Sequence, residues 1–140
     1  MHHHRQLLAS VSVVAAVMGS FLVKLAAPQV DAAPRPKASV EVADTAALAP
    51  DSQSVTIDIT ASCARGWQVL EAFITISHPQ TSGTAGIPLS CTGRVQTFAV
   101  TVPSLDAAFQ PGDAHASAFV LIERRGRTQQ AQDSETILLV

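Results

Sequence analysis

The chain has 140 residues, a net charge of −2 and 47% hydrophobic residues. This length suits one domain of ordinary size, and the acidic balance argues against general binding of nucleic acid. Asn and Tyr are absent. The absence of Asn excludes N-glycosylation sequons and Asn-Gly hairpin turns. The absence of both residue types is typical of a GC-rich bacterial genome.

Residues 1–32 predict an export signal. Arg5 follows three histidines, residues 7–23 are mostly apolar, and the small residues Val30 and Ala32 stand where a signal peptidase requires them. Cleavage after Ala32 would leave a secreted, extracellular bacterial protein that meets the membrane only transiently through its signal. No cysteine lies near this site, which argues against a lipid anchor.

An uncleaved membrane anchor through residues 7–23 is the alternative. This run has 17 residues, which is at the lower limit for crossing a bilayer. Gly19, the interspersed serines and the acceptable cleavage site favour removal of the segment.

After the signal, residues 33–38 contain two prolines and predict an extended linker. Residues 39–140 then predict a single β domain. Segments with the two-residue period or the β-branched composition of strands alternate with turn-forming residues. The predicted strands are residues 39–42, 55–62, 67–77, 87–91, 95–102, 114–123 and 136–140. Helical spacing in residues 67–77 is an alternative, and residues 104–109 predict one helical turn capped by Ser104.

The two cysteines predict a disulfide. Cys63 shares the apolar phase of residues 55–61, and Cys91 shares that of Ile87 and Leu89, so both sulfur atoms are expected to face the core. In an oxidising compartment two inward thiols on neighbouring strands should bond. About seven short strands separated by turn signals predict an antiparallel β-sandwich.

Several segments carry a family resemblance. They are Cys63, the run Cys91-Thr92-Gly93-Arg94, residues 98–102 and the run Phe109-Gln110-Pro111-Gly112-Asp113-Ala114. With these segments the chain resembles small secreted actinobacterial domains of immunoglobulin-like character and unknown function, over most of residues 39–140. The resemblance implies the general sandwich and no activity, catalytic residue or ligand. Because the cysteines are only 28 positions apart, the exact immunoglobulin topology stays open.

Motifs for catalysis or metal binding are weak. Asp113 and His115 are spaced to share a strand face, and with His78 they are the best candidates for metal ligands, but no ligand-spacing motif accompanies them. No nucleophile motif or phosphate-binding loop is present. We therefore assign no catalytic residue, metal or cofactor.

Two groups of residues are candidate binding surfaces. Arg124, Arg125 and Arg127 cluster in one turn and could bind an acidic polymer, a phospholipid surface or a carboxylate. An ordinary solvated hairpin tip is the favoured interpretation, since charged loop tips keep the edge of a sandwich soluble. Phe119 and Leu121 lie opposite the apolar face of their strand, so a linker or loop must cover them or a partner must contact them. Covering is the expectation, since soluble monomers rarely leave such a stripe bare.

These observations predict a secreted, non-catalytic protein, monomeric, that binds an unknown extracellular protein or envelope component or serves as a structural part of the envelope. The alternative is an extracellular enzyme inhibitor or a small hydrolase.

Overall fold

The computed structural model describes residues 36–140, which consist of strands and loops. The predicted signal, residues 1–32, and residues 33–35 of the predicted linker lie outside the described residues. Seven strands are present in the described part. They are β1 (Ala38–Leu48), β2 (Ser54–Cys63), β3 (Gln68–His78), β4 (Thr81–Gly86), β5 (Gln96–Pro103), β6 (Gly112–Arg124) and β7 (Arg127–Leu139).

The strands form one mixed sheet in the order β4-β3-β6-β7-β1-β2-β5. All neighbours are antiparallel except β1 and β7, which pair in parallel through Thr45 with Leu138 and Ala46 with Leu139. The expectation of a purely antiparallel sheet is therefore wrong. Residue periodicity reports which face of a strand is buried but not the direction of its neighbour, so this pairing left no signal in the sequence.

One face of every strand contributes to a common core. The two-residue period predicted for β2 is confirmed, because Val55, Ile57, Ile59 and Ala61 are all fully buried. In β6 the alternate residues from Ala114 to Ile122 are buried in the same cluster. Since β1 to β3 and β5 to β7 all place side chains in one cluster, the sheet curves around a single core.

The edge strands β4 and β5 approach each other and help to close this curve. Gly83 makes the approach possible: a Cβ there would collide with the carbonyl oxygen of Pro103 and lie 2.9 Å from a methyl group of Val102. The Leu105 N–H donates to the Ser82 carbonyl oxygen at 2.9 Å beside this contact. Residues 82–86 look like a turn in the sequence because they are small, yet small residues are what this close packing needs.

The first strand is longer than the predicted residues 39–42, because it continues past an irregularity. β1 pairs with β2 up to Val42, its register shifts, and pairing resumes at Ala46. At the same point β1 reaches β7, where the Val140 N–H donates to the Ala46 carbonyl oxygen at 2.9 Å. The bulge thus bends β1 between two neighbours, as bulges commonly do.

The last strand is also longer than predicted. Residues 127–135 are polar and mostly exposed, so their sequence lacks the apolar alternation by which residues 136–140 were recognised. The hairpin before them has the two-residue loop Arg125–Gly126, with φ of 52° and 79°. Both φ values are positive, which favours glycine at position 126.

Two other predictions differ from the structure. Residues 104–109 form bends and not a helical turn, although Phe109 is buried with 1% exposure. Residues 87–91 are not a strand. The expectation that alternate side chains of this segment face the core is nevertheless met, since Ile87 and Leu89 are buried.

Candidate functional site

A cavity of about 280 Å³ lies where the start of β1 meets two turns of the chain. We call it the basic pocket, and its lining residues are Lys37, Trp67, Arg124, Arg125 and Arg127. Lys37 directly precedes β1, Trp67 directly precedes β3, and the arginines surround the turn between β6 and β7. The lining contains four cationic side chains and no acidic one.

Backbone hydrogen bonds hold the first two of these elements together. The Ala64 N–H donates to the Lys37 carbonyl oxygen at 2.8 Å, and the Trp67 N–H donates to the Ala64 carbonyl oxygen at 3.2 Å. Gly66 has a φ of 92° in this tight turn, a conformation that favours glycine. The position of Trp67 is therefore set by the turn between β2 and β3.

The third element approaches the same turn. The guanidinium carbon of Arg124 lies 3.8 Å from the position that a Cβ on Gly66 would occupy. The carboxylate of Glu123, the nearest acid along the hairpin, accepts a hydrogen bond from the Gly126 N–H at 2.8 Å. This carboxylate supports the turn, and the lining of the pocket stays cationic.

Trp67 gives the pocket an apolar wall. It is half-buried and packs against the hydrophobic core. An indole offers a large flat surface at little cost in conformational entropy, and ligand pockets are commonly lined by such aromatic surfaces beside a few polar groups. The basic pocket therefore combines positive charge with an apolar surface.

Along the side of the domain between β1 and β7, a second set of charges has the opposite sign. We call it the acidic flank; its members are Glu41, Asp44, Asp58, Asp133 and Glu135, which line two adjoining cavities of about 400 and 530 Å³. A hydrogen bond from Asp133, the charge of Asp133 and slight desolvation raise the pKa of Glu135, with smaller contributions from Glu41 and Asp44.

One member of the acidic flank has a clear structural role. An oxygen of the Asp133 carboxylate accepts a hydrogen bond from the Val42 N–H at 2.8 Å. This N–H lies where the β1 register shifts, so the carboxylate satisfies a backbone group next to the bulge.

The predicted metal candidates do not converge. His115 pairs with Ser77 in the sheet, whereas the neighbouring His78 pairs with Thr81, so the two imidazoles belong to opposite faces. Asp113 shares the exposed face with His115. Within residues 36–140, no three His, Cys, Asp or Glu side chains are grouped so as to hold a metal ion.

The second predicted surface, Phe119 and Leu121, faces away from the core. Both side chains are half-buried. The ring of Phe119 lies beside Phe73, with ring centroids 5.6 Å apart and an interplanar angle of 42°. Leu70, near the β3 register shift, is 46% exposed. Phe73 and Phe119 thus pack together on the outer face, and Leu121 shares that face.

The predicted disulfide is confirmed: Cys63 and Cys91 are bonded, with Cα atoms 4.3 Å apart. Cys63 is fully buried, as expected, whereas Cys91 is half-buried in a loop. A disulfide favours an oxidising setting. Residues 36–140 contain no helix able to cross a membrane.

No protein-family model matches the chain, and a search of curated proteins found no relative. The function must therefore be argued from the geometry of the basic pocket.

Sequence reasoning found three of the five residues of the basic pocket and missed two. Arg124, Arg125 and Arg127 were recognisable as a cluster because they are close in sequence. Lys37 and Trp67 were not, because only the fold brings them to this hairpin. Trp67 was instead expected to begin a strand, and the strand begins one residue later.

Proposed function

We propose that this protein is a secreted, non-catalytic binding module that holds an anionic group of an extracellular or envelope component in the basic pocket. The observation that carries the proposal is the lining of that pocket: four cationic side chains, an indole and no acid. Guanidinium groups suit phosphate and carboxylate because they offer several N–H donors in a fixed plane.

A strained residue supports this proposal. Arg125 has a φ of 52°, a conformation that costs most L-residues about 1–2 kcal/mol and that Asn, Asp or Gly usually occupies in such a turn. A backbone outlier of this kind is a reason to look for a function of the side chain. The positive charge that the Arg125 side chain adds to the basic pocket is such a function.

For the fold, we propose an immunoglobulin-like sandwich with β1, β2 and β5 in one layer and β4, β3, β6 and β7 in the other. The pairings support it, because β1 bends at its bulge from β2 to β7 and thereby connects the two layers. Domains of this architecture commonly present binding residues in the turns at their ends, where the basic pocket lies.

Fluorescence offers a direct test of binding. Trp67 is the only tryptophan and the chain has no tyrosine, so its emission reports on the basic pocket alone. Titration of the purified protein with inorganic pyrophosphate should change this emission saturably, with weaker binding as salt is added. An Arg124→Ala/Arg125→Ala/Arg127→Ala variant should lose the response.

Arg94→Ala is the matched control, because Arg94 is also exposed but does not line the basic pocket. It should bind as the parent protein does. The proposal is wrong if pyrophosphate binds neither the parent protein nor the Arg94→Ala control. It is also wrong if the triple variant and the control bind pyrophosphate equally.

The proposed location needs a separate experiment. Fractionation of producing cells should find the protein in the medium or the envelope, with Ala33 as its first residue. An intact chain that is extracted only with the membrane, anchored through residues 7–23, would contradict secretion.

A further inference from the structure

We infer that the ligand of the basic pocket is a single sugar ring that carries a phosphate or a carboxylate, and not a linear polyanion. This inference rests on the proposed function and names the class of its ligand. Three observations support it: the size of the pocket, its indole wall and the charges beside it.

The size of the basic pocket limits the ligand. Sites for drug-sized molecules have volumes of roughly 300–1,000 Å³, and this cavity, at about 280 Å³, lies just below that range. One ring with one anionic substituent is a suitable size for it. An extended segment of several units would have to continue outside the pocket.

The indole wall explains why the ligand should contain a ring. A bare anion needs cations alone, and the half-buried Trp67 would then add nothing to its recognition. One face of a sugar ring presents C–H groups, which pack favourably on the electron-rich face of an indole. Such a ring would lie against Trp67 while its phosphate or carboxylate is bound by the lysine and the arginines.

The acidic flank argues against a longer anion. Along β1, Glu41 follows Lys37 by four residues, or about 13 Å in an extended strand. Asp133 and Glu135 lie beside Glu41 on the neighbouring edge of β7. A polyanion that continued from the basic pocket along β1 and β7 would therefore meet three carboxylates.

The inference is tested by comparing small ligands of known composition. Glucose 6-phosphate and glucuronate supply a ring with an anion, glucose supplies the ring alone, and inorganic phosphate supplies the anion alone. Calorimetry and Trp67 emission should both show glucose 6-phosphate or glucuronate binding about tenfold or more tightly than phosphate or glucose. The comparison between the two sugars distinguishes a phosphate ligand from a carboxylate ligand.

Polyphosphate and adenosine monophosphate are the competing ligands. Polyphosphate tests a linear polyanion, and the nucleotide tests an aromatic base, which also stacks on an indole. Tighter binding of either one than of both sugars would overturn the inference. Equal binding of phosphate and the sugars would overturn it too, but would leave the proposed anion-binding function intact. Failure of every anion to bind refutes both proposals.

Substitution of the indole provides a second test. Trp67→Leu keeps all four cations, so calorimetry should show that the tenfold preference for the sugar ligand over inorganic phosphate is lost, whereas the Arg94→Ala control should keep it. Trp67→Phe keeps an aromatic face and should retain most of that preference. If Trp67→Leu retains the full preference, the ring does not contact the indole and the inference is wrong. If this variant does not fold, Trp67→Phe and the ligand series on the parent protein still decide the question.

Discussion

The basic pocket and the acidic flank are both bordered by β1 and β7, yet their charges are held differently. On the flank, Asp133 accepts a backbone hydrogen bond from Val42, and its side-chain hydrogen bond to Glu135, together with its charge, raises the pKa of Glu135. In the pocket, the cations surround a cavity with an apolar wall. Asp133 on the flank therefore has a role within the fold, whereas the proposed role of the pocket charges is to bind an anion from outside it.

The largest effect on stability is expected from removal of the disulfide that lies beside the basic pocket. Cys63 ends β2 just before the turn that holds Trp67. A Cys63→Ser/Cys91→Ser variant should lose about 3–4 kcal/mol of unfolding free energy, because the disulfide limits the freedom of the unfolded chain. Urea unfolding followed by Trp67 emission measures this. Chemical reduction of the parent protein is the control without substitution, and unfolding unaffected by either change would contradict the prediction.

The next test addresses the acidic flank. Asp133→Ala should cost about 1–3 kcal/mol, because it leaves the Val42 N–H without its hydrogen-bond partner. Asp133→Asn keeps an oxygen acceptor at the same place and should cost clearly less. Urea denaturation of the two variants measures the difference. Equal losses would show that the charge of Asp133 matters and that its hydrogen bond does not.

Exchanging charges between the basic pocket and the acidic flank tests whether each region affects anion binding separately. Lys37→Glu places a carboxylate in the basic pocket and should lower the affinity for an anion by about tenfold or more. Its stability should change by no more than about 0.5 kcal/mol because Lys37 is exposed. Calorimetry with glucose 6-phosphate measures the affinity.

Glu41→Lys is the reciprocal change on the acidic flank. It should strengthen the binding of polyphosphate while leaving the binding of glucose 6-phosphate nearly unchanged. The two regions would not act independently if both ligands gained affinity equally.

A smaller effect is expected at the strained turn of the basic pocket. Arg125→Asn should stabilise the hairpin by about 1 kcal/mol, since Asn tolerates the left-handed conformation. The same change should weaken anion binding, whereas Arg125→Lys should preserve both the strain and the binding. Thermal unfolding together with calorimetry checks the pair. A variant that gains stability and keeps full affinity would show that the charge of Arg125 is not used.

The smallest effect concerns Glu135. Its pKa is raised above 4.5 in the folded protein, so folding favours its protonated form. The stability that this provides is present at acid pH and is lost as the pH rises through that raised value. Glu135→Gln should therefore slightly raise the melting temperature at neutral pH and have no effect well below pH 4.5. A gain of equal size at both pH values would exclude the titration of Glu135 as its cause.

The core of the fold was predictable because burial leaves a two-residue period in the sequence. That period located β2 and β5 and placed Cys63 inside. It failed for β4, whose small residues resemble a turn, and for most of β7, whose residues are polar on both faces. The parallel pairing of β1 with β7 was also missed, because no local pattern records which distant strand becomes a neighbour.

For the basic pocket, the limit of prediction was distance along the chain. Arg124, Arg125 and Arg127 could be recognised together because one turn contains them. Lys37 and Trp67 join them only because the start of β1 and the turn before β3 lie at the same end of the domain. The sequence alone favoured a plain hairpin tip for the arginines, because the indole that lies beside them is distant along the chain.

The pairing of β1 with β7 also bears on how this protein folds. The Leu48 N–H donates to the Val140 carbonyl oxygen at 2.8 Å, so residues far apart in sequence complete the sheet. Such long-range pairing gives a high contact order, and domains of this kind fold in milliseconds to seconds and not in microseconds. β1 therefore completes its pairing only when β7 is available. The domain is thus expected to acquire its cooperative native state only when the whole segment from β1 to Val140 is free to fold.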